Sequence, residues 1–121
     1  MIIEKIKCIA VTGIAIPKLE AKEKFTIKGW GKRRGEDALV YIIPNTKNPQ
    51  KHNEKGITVS EFEKAYKQLC DSGELTKVWF NKHLGKCANE GSCNFTSLGG
   101  IFELLGEAKY EHRCVYKRRQ V

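Results

Sequence analysis

Residues 93–119, CNFTSLGGIFELLGEAKYEHRCVYKRR, decide how this chain is read. From Thr96 or Ser97 onward, Leu98, Ile101, Phe102, Leu104 and Leu105 recur at helical spacing, and Gly106 ends the run. Lys109-Tyr110 and residues 114–117 then read as two short β runs joined across Glu111-His112-Arg113, with a basic end. The stretch therefore predicts an apolar helix feeding directly into a β-hairpin. Between Thr96 and Gly106 there is no Lys, Arg, Asn or Gln, and the single charge is Glu103. Base edges are normally read by those absent types, so this helix is expected to be core, or a surface for a second copy in a homodimer. Gly99-Gly100 inside it would cost about 1 kcal/mol each relative to Ala, which close backbone packing would explain.

Toward the N-terminus the pattern stays helical. Thr58 and Glu61 have capping-box spacing, and Val59, Phe62, Tyr66 and Leu69 form one apolar stripe up to a stop at Gly73. Glu74-Leu75 suits a very short strand. Thr76 can cap a helix over 77–84 that supplies Val78, Phe80 and Leu84, with Gly85 as its stop. Residues 86–94 are expected to be a loop. The order helix, strand, helix, helix, strand, strand, carried by GELT, FELLG and YEHRCVY, resembles the winged-helix superfamily over residues 57–119. That resemblance implies a nucleic-acid-binding fold with a β-hairpin wing. The departure is the connector over 85–95, longer than the usual tight turn. KGWGKRRGE (residues 28–36) and CNFTSLGGIFELLG (residues 93–106) also look like segments of small bacterial proteins of the mobile gene-cassette type, a resemblance that implies no activity.

Residues 1–56 read as an N-terminal extension packed on a core of residues 57–121. Ile2, Ile3, Ile6 and Ala10 favour a short helix, and Gly13 and Pro17 break the chain into an extended connector. KFTIKGW (residues 24–30) and ALVYII (residues 38–43) are two β runs around GKRRGED, hence a hairpin, and Pro44 ends the second. NTKNPQKHNEKG (residues 45–56) has no apolar residue and reads as a polar loop. The fold class is α+β: a basic β-hairpin extension on a winged-helix-like core.

The chain carries 22 Lys and Arg against 14 Asp and Glu, a net charge of +8 over 121 residues. The surplus is concentrated in residues 1–56, with twelve basic residues against six acids. Such a balance favours partners with phosphates or acidic faces. Acids and lysines interrupt the apolar residues at the start, so a signal peptide is not expected, and no apolar run approaches a membrane span. With five cysteines, an odd number, the expectation is a cytoplasmic protein with reduced thiols and no membrane partner.

Two basic clusters are the candidate sites. In the hairpin, Lys28, Lys32, Arg33 and Arg34 surround Trp30, which lies between Gly29 and Gly31. Glycines at an exposed tip bring backbone amides close to phosphates, Arg makes forked contacts, and Trp30 is available to stack on a base. In the wing and tail, Lys109, Arg113, Lys117, Arg118 and Arg119 oppose only Glu111. The same cations would also serve as a solvated edge that resists aggregation. GWGKRRG lacks the order of a phosphate-binding P-loop. His83, Cys87 and Cys93 cluster in sequence, but the Cys spacing is wider than a zinc pair, so no metal and no cofactor are expected. Glu36-Asp37 point to opposite faces of a strand and make a poor catalytic pair, so no catalytic residue is assigned. The preferred function is non-enzymatic nucleic-acid binding through phosphates. The alternatives are a protein-interaction or oligomerisation module and a small enzyme such as a nuclease.

Overall fold

The computed structural model describes residues 1–17, 24–44 and 53–119. The chain is α+β, with helices alternating with two antiparallel sheets. The first helix, α1 (Ile2–Ile9), forms despite its β-branched residues because it sends Ile6 into the core, with Ala10 just after it, and packs Ile2 and Ile3 against it. The strands β1 (Ala15–Ile16), β2 (Phe25–Arg33), β3 (Glu36–Ile43) and β4 (Asn53–Thr58) form a sheet in the order β1-β2-β3-β4.

The β2–β3 hairpin is longer than its apolar pattern predicts. The segment expected as the GKRRGED connector is mostly strand, and only Arg34-Gly35 turns. Main-chain pairing continues where apolar residues stop: Lys32 faces Asp37 and forms an ion pair with it, and Arg33 faces Glu36. Both turn residues have positive φ, 48° at Arg34 and 77° at Gly35, the pattern of a tight type I′ turn.

Residues 45–52 of the expected polar loop lie outside the described residues. Residues 53–56 are strand rather than loop: β4 pairs with β3 from Asn53 to Thr58, and main-chain pairing needs no apolar side chain. The boundary expected after residue 56 falls inside this strand.

Thr58 closes β4 and caps α2 (Val59–Ser72) through a complete capping box with Glu61, while Gly73 ends the helix with φ 81°. Then come β5 (Glu74–Thr76), α3 (Lys77–His83), α4 (Gly85–Glu90), α5 (Cys93–Leu104), β6 (Ala108–His112) and β7 (Val115–Arg118). Much of the segment expected as a loop at 86–94 is α4 and the start of α5. Burial of Cys87, Asn94 and Phe95 in the interior overrides its polar composition. The small sheet has the order β5-β7-β6. Its hairpin turns at Arg113-Cys114, with Cys114 at φ 69°, rather than across residues 111–113.

One hydrophobic cluster unites these parts. It contains Ile6, Ile27, Leu39 and Tyr41 from the first half and Phe62, Leu69, Phe80, Leu98, Ile101, Phe102 and Leu105 from the second. At its centre lies α5. A Cβ added to Gly99 would sit 2.1 Å from the Tyr116 ring, and one on Gly100 would sit 2.3 Å from the Pro17 carbonyl oxygen. The α5 backbone is therefore in contact with β7 on one side and the β1 end on the other. Asn94, Phe95 and the run from Ser97 to Phe102 are buried, so most of α5 is core, while Cys93, Thr96, Glu103 and Leu104 are partly exposed.

Candidate nucleic-acid interface

The hairpin tip is fixed from inside. Arg34 does not present its guanidinium at an exposed tip, as its sequence context predicts; the side chain folds back and is only 16% exposed. Its Nε and Nη2 donate to the two oxygens of Glu61 at 3.0 and 2.6 Å, Nη2 also donates to the Gly56 carbonyl at 2.9 Å, and Nη1 donates to Glu90. The positive φ at position 34 re-aims the side chain toward α2 and α4. Burial works to raise the Glu61 carboxyl, but hydrogen bonds from Arg34 and the Thr58 amide hold it below the usual carboxylate range. Arg34 is a clamp between the hairpin, α2 and α4, and its charge is spent on two acids.

Its neighbours are partly committed as well. Arg33 lies over Gly56, where an added Cβ would come within 2.8 Å of its Cγ, and its Nε is 4.0 Å from Glu90. Lys32 donates to Asp37 at 2.5 Å, and Lys28 pairs with Glu54 at 2.9 Å. These lysine pairs are exposed, so each contributes little and is readily exchanged. Trp30 is 36% exposed, and Lys7 of α1 stands over its ring, 5.4 Å from the centroid. Lys7 was not among the candidate residues: 23 positions separate it from Trp30, and only the placement of α1 in the fold brings them together.

The C-terminal hairpin is differently arranged. Leu75, Tyr116 and Tyr110 are register partners across the small sheet; Leu75 and Tyr116 are buried and Tyr110 packs against the core. The adjacent row is Glu74, Lys117 and Lys109, and both lysines are exposed. Lys117 donates to Glu74 at 2.6 Å, which raises its pKa. Lys109 thus faces a second lysine across the strand pair. Arg113 is exposed at the turn and Arg119 just past the last strand. Among the described residues, no ion pair is formed by Lys109, Arg113 or Arg119. Arg118 is held at the end of α2: its amide donates to the Gly73 carbonyl at 2.8 Å and its side chain to the Cys70 carbonyl at 3.4 Å.

The two basic clusters are not brought together. The Arg34 end of the hairpin binds the first turn of α2, and Arg118 binds its last. A 14-residue helix is roughly 21 Å long.

The other candidate chemistry disperses. His83 is exposed and stacks on Trp79, Cys87 is buried with its thiol pushed up by burial, and Cys93 lies 3.5 Å from the Tyr41 hydroxyl. Among the described residues, no three His, Cys, Asp or Glu side chains are grouped to hold a metal. Glu36 accepts from the Ser60 amide and hydroxyl while Asp37 accepts from Lys32, so the two acids work at separate places. No helix among the described residues is long and apolar enough to cross a membrane. No family model, curated protein or solved structure matches this chain.

Proposed function

We propose that the chain is a non-enzymatic nucleic-acid-binding protein that contacts phosphates mainly through its C-terminal wing, with a lesser contribution from the N-terminal hairpin. The observation that carries this reading is the direct pairing of Lys109 with Lys117, flanked by Arg113 and Arg119, on an exposed sheet surface. Like charges directly opposite one another destabilise a sheet. A polyanion laid along Lys109, Arg113 and Arg119 gains a charge-assisted contact from each, and Lys117 joins them by exchanging its exposed pair with Glu74.

The element order α2-β5-α3-α5-β6-β7 and the sheet order β5-β7-β6 support a winged-helix-like reading, with α4 as an insertion before the third helix. Burial of α5 argues against base reading by that helix. Backbone contact positions a protein without reading sequence, so the binding expected here is tolerant of sequence. A cytoplasmic setting fits five free thiols.

The test is a titration of labelled duplex and single-stranded DNA at low and moderate salt. Each lost phosphate contact makes the slope of log affinity against log salt shallower by about 0.9 on duplex and about 0.7 on a single strand. The triple variant Lys109→Ala, Arg113→Ala, Lys117→Ala should shift that slope by roughly two to three on duplex DNA. Wild-type protein with no affinity for DNA or RNA at low salt would remove this reading and favour an interaction module.

A further inference from the structure

The outer edge of β2 carries a second feature, remote from the wing. Strand β1 covers only Phe25 and Thr26. The chain before it reaches Ile27 through Gly13 and Ile14, and Thr12 donates to the Lys28 carbonyl. From Gly29 to Arg33, β2 has no strand on that side among the described residues. On the face of this end of the hairpin, Lys7, Trp30, Gly31, Lys32 and Asp37 line a recess of about 250 Å³.

We infer that this recess holds one unpaired base of a single-stranded nucleic acid, stacked on Trp30. The inference rests on the nucleic-acid reading and assigns it a strand preference. Three observations carry it. Trp30 has over a third of its surface open, on the same face of the hairpin as Lys32 and Asp37. Lys7 stands over a face of the ring, a weak surface contact that a stacking base replaces, which frees its ammonium for a flanking phosphate; Lys28 and Lys32 are exposed along the same strand. Asp37 lies within the recess, 2.5 Å from Lys32.

A carboxylate repels a phosphate but accepts from a base's amino or ring N–H. The centre of the recess therefore suits a base and its rim suits the flanking phosphates. A duplex keeps its base faces stacked inside and cannot offer one; an unpaired strand can. Lys28 and Lys32 give up only weak surface pairs when they turn to phosphates.

The experiment has two arms. In Trp79→Phe protein, Trp30 is the one remaining tryptophan. A short single-stranded DNA oligonucleotide should quench its emission, and the matching duplex should not. In otherwise wild-type protein, Trp30→Ala should weaken single-strand binding by about 5- to 150-fold, leaving duplex affinity and its salt slope unchanged. Trp30→Leu repeats this arm if the alanine variant does not fold. Trp30 emission unchanged at saturating single strand overturns the inference, as does a folded Trp30 variant that binds single strands like wild type. Duplex binding with either result leaves the wing reading standing. Loss of all binding by wild-type protein removes both. Quenching by anionic vesicles but not by oligonucleotide would assign the patch to a lipid surface and overturn the inference.

Discussion

At the scale of single residues, Arg34 and Lys109 show how one charge type serves opposite ends. Arg34 is surrounded by acids and its partner Glu61 is buried. Arg34→Ala would leave that carboxylate without its partner, and a loss of about 3–5 kcal/mol is expected by denaturant titration near neutral pH. The pH dependence follows from Glu61, whose folded-state pKa lies below its ordinary 4.5. Its contribution is fully present above that value and is lost as pH falls through the lowered folded value. The gap between wild type and Arg34→Ala should therefore narrow on acidification; a gap constant with pH would separate Arg34 from Glu61 energetically. Lys109 stands opposite Lys117, so Lys109→Glu converts repulsion into attraction. Stability should rise by about 0.2–1 kcal/mol while affinity for DNA falls. A variant that gains stability without losing affinity would count against the C-terminal hairpin as a phosphate surface.

At the scale of elements, α5 is the case where helix propensity and packing oppose one another. Replacing Gly99 or Gly100 by Ala improves intrinsic propensity by about 1 kcal/mol. Each new methyl, however, meets the Tyr116 ring or the Pro17 carbonyl at distances no contact tolerates. Overpacking of this kind costs about 1–3 kcal/mol or more, so both variants should be less stable than wild type. Gly100→Ala should suffer more, because a backbone carbonyl moves less readily than a ring. Thermal unfolding reads the order directly, and a stabilised Gly99→Ala would show that β7 yields freely. The hairpin β2–β3 is governed by a different balance. Its far end is held by the Lys32–Asp37 ion pair, by Arg33 beside Glu90, by Glu36 on Ser60 and by the Arg34 clamp.

At the scale of the whole molecule, one cluster joins α1 and the large sheet to the helices and the small sheet. Trp30 lies in the first part and Trp79 in the second, which provides a separate probe for each. Shared burial predicts a single cooperative transition. Unfolding followed by Trp30 emission in Trp79→Phe, and by Trp79 emission in Trp30→Phe, should each coincide with loss of helical circular dichroism in the same protein. Transitions at separate denaturant concentrations would show that the segments before and after β4 fold as independent units.

The local chemistry of the chain was sufficient for much of this architecture. The capping box at Thr58 and Glu61, the stripe of Phe62, Tyr66 and Leu69, the stop at Gly73 and the apolar run of α5 are set by interactions within a few residues, so they are visible in sequence. The close approach at Gly99-Gly100 was legible too, because two glycines in a helix need a reason. Tertiary structure decided the rest. Burial made helices of residues 85–90 and 93–95, main-chain pairing with the Lys32–Asp37 ion pair lengthened the hairpin, and pairing with β3 made a strand of residues 53–58. The largest difference concerns the candidate site. In sequence Lys32, Arg33 and Arg34 are equivalent cations at a tip, but Glu61 and Glu90 lie 27 and 56 positions beyond Arg34, and only the fold brings them to it. Charge is a property of a residue, whereas its availability to a ligand depends on which acids the fold places beside it.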